Sequence, residues 1–251
     1  MRFPVLLFAF SLIFLWFANR IGVAVSIQRP LAQEGRDDFG VILAAVLTLL
    51  GLVIGFTFSM SLNRYDQRMN FEEAEANAIG TEYFRAGLLP AADTVRIRQL
   101  LSSYADQRIL FYQTRDSRRL EQIDADTVRL QTDLWSAIQT PALAQPTPLS
   151  ALAVWGMNDV LNSQGYTQFA WLNNRIPVGA WLFMGAIAIG CNLMVGYSAR
   201  QPGVGKTLSL ILPLFVSISF LFISDIDSPR GGLIHVEPRD LIIVSQSMHG
   251  H

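Results

Sequence analysis

The sequence predicts an all-α integral membrane protein with four transmembrane helices and a helical extramembrane domain between the second and third. Hydrophobic residues make up 51% of the 251 residues. Four apolar segments lack Asp, Glu, Lys and Arg and are long enough to cross a bilayer, which takes about 20 residues. These segments are residues 3–18, 39–62, 176–197 and 207–223, and after Asn19 and Arg20 the first is followed by a further apolar stretch to about residue 27.

The first apolar segment resembles a signal peptide in position but not in detail. Its apolar run exceeds a usual signal sequence, and Phe17-Ala18-Asn19 is not a small-residue cleavage site. We therefore expect a retained helix and four spans, which place both termini on the same side as the middle domain. A slight excess of arginine on that side favours cytoplasmic termini. The predicted boundaries are 1–62 for the first helix pair, 63–175 for the middle domain, 176–224 for the second pair and 225–251 for the tail.

The hydrophilic middle shows helical periodicity. The second span has no proline and is predicted to continue beyond Asn63 to about Gly87, with Pro90 ending it. Residues 92–113 and 118–139 each carry apolar side chains on one helical face, as amphipathic helices do. The prolines of 141–148 predict a loop, followed by a helix over about 149–163. The segment 232–236, GLIHV, is predicted as a short strand.

Composition and motifs argue against an enzyme, a cofactor and a nucleic-acid partner. The net charge is −1, and the single cysteine, Cys191, cannot form an intrachain disulfide. No Ser-His-Asp pattern or HExxH motif is present, and the three histidines lack a metal-ligand spacing. The segment 201–207, QPGVGKT, is similar to a phosphate loop, but Arg200 stands where the first glycine belongs and no strand precedes it. We expect a short loop there.

One face of the second helix carries small and polar residues from the membrane into solvent. Gly51 and Gly55 form a GxxxG pair on this helix, so one interpretation is a close helix–helix contact with Thr48 and Ser59 bonding across it. The other is a stripe that faces water in an oligomeric pore, where solvent satisfies the polar groups. Leu52 and Phe56 are then the apolar constriction. The candidate pore-lining residues are Thr48, Leu52, Gly55, Phe56, Ser59, Asn63, Asp66, Asn70 and Glu73.

The end of the fourth span forms a second candidate site. Asp225 and Asp227 leave the membrane together, and Pro229 and the glycine pair that follows predict a sharp turn. Desolvated carboxylates are costly without partners. We therefore expect either an ordinary solvated helix end or a salt-bridge or cation site, with Arg64 and Arg68 as partners by depth.

Several features resemble the bestrophin-like family of bacterial membrane proteins. The most specific are EANAIGTEYFRA at 75–86 and the tail segment DIDSPRGGLIHVEP, within the four-span layout. The resemblance implies a location in the bacterial inner membrane and, through true bestrophins, a pentameric ion channel lined by its second helix. Those channels are mostly anion-selective with an aromatic and aliphatic neck, whereas this stripe contains Gly55 and Ser59.

Two functions follow as expectations. The first is an oligomeric channel for inorganic ions, because the polar stripe is continuous from Thr48 to Asn77. Acidic rings at Asp66 and Glu73 favour cations, although Arg64 and Arg68 lie close in sequence and can neutralise Asp66. The alternative is a non-conducting membrane adaptor or sensor whose middle domain binds a partner.

Overall fold

Every regular element among the described residues is a helix, so the predicted all-α class is confirmed. The computed structural model describes residues 2–29, 34–198 and 205–250. The loop expected at 201–207 falls largely outside these residues. The helices are α1 (Arg2–Gln28), α2 (Glu34–Arg85), α3 (Ala91–Gln113), α4 (Ser117–Ala144), α5 (Pro148–Leu172), α6 (Val178–Ser198), α7 (Gly205–Asp227) and α8 (Arg239–His249), with a 3₁₀ turn at Ala86–Leu88.

Four of these helices are long and apolar enough to cross a membrane, as predicted. They are α1, α2, α6 and α7. With 52 residues, α2 is about 78 Å long at 1.5 Å per residue. The hydrocarbon core of a bilayer is about 30 Å thick, so much of α2 extends beyond it. The chain is a multi-pass membrane protein.

The described chain divides into two compact units. The first contains residues 1–65 and 175–235, and the second contains 66–174 and 236–251. The core of the first unit is formed by apolar side chains from α1, α2, α6 and α7, including the buried Leu15, Leu50, Met184 and Phe220. The domain boundaries expected from the sequence stay a prediction.

Helices α1 and α6 pack closely because glycines remove side chains from their contact. A Cβ atom on Gly22 would overlap the Leu193 carbonyl, and one on Gly196 would overlap the Asn19 carbonyl. Asn19 is fully buried, and its side-chain amide donates to the Asn192 carbonyl at 3.3 Å. Small residues and amide hydrogen bonds of this kind hold membrane helices together.

The second unit buries the helical faces that the periodicity predicted. Ile97, Leu101 and Tyr104 of α3 and Leu134 and Ile138 of α4 are all fully buried. Two boundaries differ from the prediction. Helix α4 continues through Pro141 to Ala144, and α5 extends from Pro148 to Leu172. A proline lacks an N–H but keeps its carbonyl, and the Pro141 carbonyl still accepts from the Gln145 N–H at 2.9 Å.

The predicted strand at 232–236 is wrong. These residues follow α7 as a turn and an irregular segment. No neighbouring strand pairs with them among the described residues. Two of their backbone N–H groups donate to a side chain instead. Leu233 and Ile234 donate to the Asp225 carboxylate at 2.9 Å.

Candidate functional site

The candidate pore residues all lie on one exposed face of α2. The side chains of Leu52 and Phe56 are 52% and 73% exposed in the single chain. The other positions are exposed as well, namely Thr48, Gly55, Ser59, Asn63, Asp66, Asn70 and Glu73. No described part of the chain covers this exposed stripe, which runs from the apolar segment 39–62 into the hydrophilic part of α2.

The GxxxG pair of α2 makes no close helix contact with the described part of the chain. A Cβ atom on Gly51 or Gly55 would meet nothing there within 4 Å. The Thr48 hydroxyl donates to the Ala44 carbonyl of its own helix at 2.9 Å. Lipid, water, a second copy of the chain or another protein is therefore left to cover this face.

The two arginines beside Asp66 lie on other faces of the helix. Arg64 is half-buried, and its Nη1 atom lies 4.0 Å from Asp227 Oδ1. Arg68 is buried and donates to the backbone carbonyls of Ala170 and Asn174, both at 3.4 Å. Both guanidinium groups are thus engaged away from the exposed stripe.

Asp225 holds the turn after α7. Its carboxylate is mostly buried and accepts from the backbone N–H groups of Leu233 and Ile234 at 2.9 Å. A Cβ atom on Gly232 would overlap the backbone and carboxylate of Asp225, so a glycine is required at this close approach. Backbone donors, rather than arginine, surround this carboxylate.

Asp227 joins the end of α7 to the segment before α6. Its carboxylate accepts from the Ile176 N–H at 3.2 Å, and its backbone carbonyl accepts from Arg175 Nη1 at 2.7 Å. Partial desolvation lowers the pKa of Arg175, whose side chain stays exposed in part, and the nearby Asp227 opposes this shift. Within the described ranges, no group of three or more His, Cys, Asp or Glu side chains could hold a metal ion.

A second, buried face of α2 carries charges that sequence reasoning missed. Glu75 and Arg108 are both fully buried and form an ion pair. The Glu75 carboxylate also accepts from the Tyr112 hydroxyl at 3.2 Å and the Thr167 hydroxyl at 3.1 Å. The Arg108 guanidinium stacks 4.4 Å from the Phe111 ring centre. This network joins α2, α3 and α5.

Burial and the ion pair shift the pKa values in this network. Burial acts to lower the pKa of Arg108, but the charge and hydrogen bond of Glu75 together with Tyr104 and Tyr112 raise the pKa overall. Burial raises the pKa of Tyr112 well above its usual value, and the Glu75 charge adds to the shift. Arg108 is therefore a fixed cation and Tyr112 a neutral hydrogen-bond donor.

Two further acids lie on the buried face, well beyond Leu62 where the apolar segment ends. Burial raises the pKa of Glu82 to about 8, Asp159 adds to the shift and Arg85 opposes it. Neither Glu82 carboxylate oxygen has a hydrogen-bond partner among the described residues. Burial also raises the pKa of Glu72 to about 7, and its carboxylate accepts from the Leu241 N–H of α8 at 2.9 Å.

A sequence signal for the buried face existed. Arg68, Glu72, Glu75, Ile79 and Glu82 are spaced by three or four residues, so they share one side of a helix. A charged helix face usually contacts solvent. Here the face is buried, because an opposite charge and backbone groups of α3, α5 and α8 contact its charged side chains.

The tail histidine His249 contacts serine and aspartate side chains of α3 and α8. Its Nδ1 atom donates to the Ser245 carbonyl at 2.8 Å. Ser102 Oγ lies 3.4 Å from Nδ1 and 3.2 Å from Nε2, and Asp106 Oδ2 lies 3.5 Å from Nε2. These contacts tie α8 to α3.

Comparison with known proteins gives a family match and structural matches. The family model of the Bestrophin-like domain matches residues 5–241. A bacterial Bestrophin homologue from Klebsiella pneumoniae, solved by Zn-SAD phasing, has a TM-score of 0.64 at 15% identity over 96% of this chain and 97% of that chain. A single-substitution variant of that homologue has a TM-score of 0.67 at 14% identity over 100% of both chains. Comparison with curated proteins finds no match.

Proposed function

The chain belongs to the Bestrophin-like family, and on this premise we propose that it forms an oligomeric ion channel whose pore is lined by α2. The observation that carries the proposal is the exposed stripe from Thr48 to Glu73, which no described part of the chain covers. Within the apolar helix segment the stripe exposes the Ser59 hydroxyl, whereas the Thr48 hydroxyl bonds its own helix. Water in a pore satisfies such groups, whereas lipid does not.

Exposed aromatic side chains outside the apolar segments support assembly from several copies. On α5, Trp155, Tyr166 and Phe169 are 60% exposed or more. An apolar surface of this kind on a hydrophilic domain is usually covered by a partner. A ring of identical chains would cover it and would also turn each position of the exposed stripe into a ring of side chains. Family resemblance favours five copies.

Leu52 and Phe56 are the proposed gate. They are the large apolar side chains on the stripe, and a narrow apolar ring closes a pore by excluding water. Thr48 and Ser59 would present hydroxyl groups above and below this ring, and Gly55 would widen the lumen. Truncating Leu52 to alanine is expected to raise the current.

We also propose a preference for cations. Asp66 and Glu73 would form two acidic rings, which attract cations in a narrow pore. Arg64 contacts Asp227, and Arg68 donates to backbone carbonyls, so both guanidinium groups have partners other than Asp66. The mostly anion-selective behaviour implied by the resemblance to bestrophins is the opposite expectation.

Reconstitution into planar bilayers tests the channel. The purified chain should conduct, Leu52→Ala should increase the current, and Asp66→Asn should move the reversal potential in a salt gradient toward zero. Asp133→Asn, an exposed acid on α4, is the matched control and should leave the reversal potential unchanged. A ring without an axial opening, with the stripe packed between helices, would overturn the proposal.

A non-conducting adaptor is the alternative, because a different protein could cover the aromatic residues of α5. Images of purified particles separate the two functions. A ring of identical chains with a central opening supports the channel, and a single chain without current supports the adaptor.

The proposed location is the bacterial inner membrane, with both termini and the middle domain in the cytoplasm. Single cysteines at residues 30 and 120 test this orientation in intact cells. A membrane-impermeant thiol reagent should label residue 30 and spare residue 120. The reverse pattern would invert the topology.

A further inference from the structure

A cavity of about 430 Å³ lies among α1, α6 and α7, away from the exposed stripe of α2. This size is typical of small-ligand sites in proteins. Every residue that lines it belongs to the first compact unit. Its walls are formed by helices that are apolar enough to span the membrane.

The lining of the cavity is apolar along its length and polar at one end. Aromatic and aliphatic side chains form the walls, among them Phe10, Phe14, Trp181 and Phe220. The polar end contains Arg175, Ser224, Asp227 and Ser228. Arg175 lies shortly before the first residue of α6, and Asp227 is the last residue of α7. The polar end therefore coincides with the ends of two spans.

Among the charged groups at this end, the Arg175 guanidinium is available to bind an anion. The Asp227 carboxylate accepts from the Ile176 N–H at 3.2 Å and lies 4.0 Å from Arg64. Arg175 bonds the Asp227 backbone carbonyl through Nη1 and remains exposed. Its other guanidinium N–H groups can donate to an anionic oxygen, and arginine suits phosphate geometry well.

We propose that this cavity binds an anionic phospholipid, with one acyl chain along the apolar walls and the phosphate at Arg175. The rim residues Phe10 and Leu182 are each 69% exposed, so the cavity opens at the outer surface of the helices. In a membrane this surface contacts lipid, whose acyl chains are as apolar as the cavity walls. A second copy of the chain would need to insert a side chain to fill the same volume.

Fluorescence of Trp181 tests this site without any measurement of conduction. The chain is reconstituted in vesicles of phosphatidylcholine that contain acyl-brominated phosphatidylglycerol or acyl-brominated phosphatidylcholine, and bromine quenches a tryptophan in contact with it. The signal of Trp181 is the difference between the wild type and Trp181→Phe. We expect brominated phosphatidylglycerol to be favoured about fivefold, as one basic residue near an anionic headgroup implies.

Two variants test the headgroup contact and the acyl-chain contact separately. Arg175→Gln should reduce the preference for phosphatidylglycerol to that for phosphatidylcholine. Gly185 lines the cavity, and a Cβ there would meet nothing within 4 Å, so Gly185→Leu should fill the cavity and abolish the selective quenching. Gly190 of the same helix also has open space at its Cβ but does not line the cavity, and Gly190→Leu is the matched control.

Three results would overturn the proposal. Equal quenching of wild-type Trp181 by the two lipids would indicate ordinary lipid contact at the protein surface. No quenching by either lipid would indicate that another copy of the chain covers the cavity. Unchanged quenching in Gly185→Leu would place the lipid elsewhere.

Discussion

Glu73 and Glu75 are the same residue type two positions apart on α2, yet one is exposed and the other is fully buried against Arg108. The difference separates two faces of the helix. The exposed stripe has no partner in the described chain, whereas the buried face ties α2 to α3, α5 and α8. One helix thus both holds the second unit together and presents a continuous exposed stripe.

The largest expected effect comes from breaking the buried ion pair. Glu75→Gln leaves the Arg108 charge buried without its counterion, and removing one partner of such a pair costs about 3–5 kcal/mol. Thermal unfolding of the detergent-purified protein should show a strongly lowered midpoint. Glu73→Gln is the matched control and should leave the midpoint unchanged. Glu75→Met combined with Arg108→Met should recover much of the stability, and no recovery would mean that the pair has a role beyond charge balance.

Glu82 gives a pH-dependent effect on the same face. Its pKa is about 8 in the folded chain, well above the usual 4.5, so the folded state keeps its proton over a range where the unfolded state loses it. Stability should therefore fall as the pH rises from about 4.5 to about 8, by about 1.4 kcal/mol per unit. Glu82→Gln should remove its part of this slope, the remainder below about pH 7 coming from Glu72, and the two proteins should differ most above pH 8. Parallel pH profiles would show that Glu82 is ionised in the folded chain.

Arg64 lies where the buried face of charges begins. Its contact with Asp227 is long and partly exposed, so Arg64→Gln should lower the unfolding midpoint less than Glu75→Gln does, by about 1 kcal/mol in stability. Asp227→Ala should cost more than Arg64→Gln, because it also removes the acceptor of the Ile176 N–H. Equal losses of stability in the two variants would mean that Asp227 stabilises the fold only through its contact with Arg64.

The smallest effect is expected at the glycine of the exposed stripe. Gly55→Ala adds a methyl group in open space, so stability should change by less than about 1 kcal/mol, in the stabilising direction. Gly196→Ala is the contrast, because its methyl group would overlap the Asn19 carbonyl and should lower the unfolding midpoint clearly. A large loss of stability in Gly55→Ala would indicate that another copy packs tightly there.

Sequence patterns predicted the spans and most helices because each depends on a local run or period. The apolar segments and the buried faces of α3 and α4 are of this kind. Contacts between distant residues carry no such local signal. The pairing of Glu75 with Arg108 and the donors to Asp225 depend on how separate segments meet. The strand prediction at 232–236 failed for the same reason, since Asp225 takes the N–H groups that a strand would use.

The hydrogen bond that the Asn19 side-chain amide donates to the Asn192 carbonyl joins residues 173 positions apart, so its two partners are synthesised at different times. The ribosome releases α1 long before α6 exists. During that interval the Asn19 amide lacks the carbonyl that accepts from it, and Gly22 lacks the neighbour that packs against it. The contact between α1 and α6 can therefore form only after α6 has been inserted.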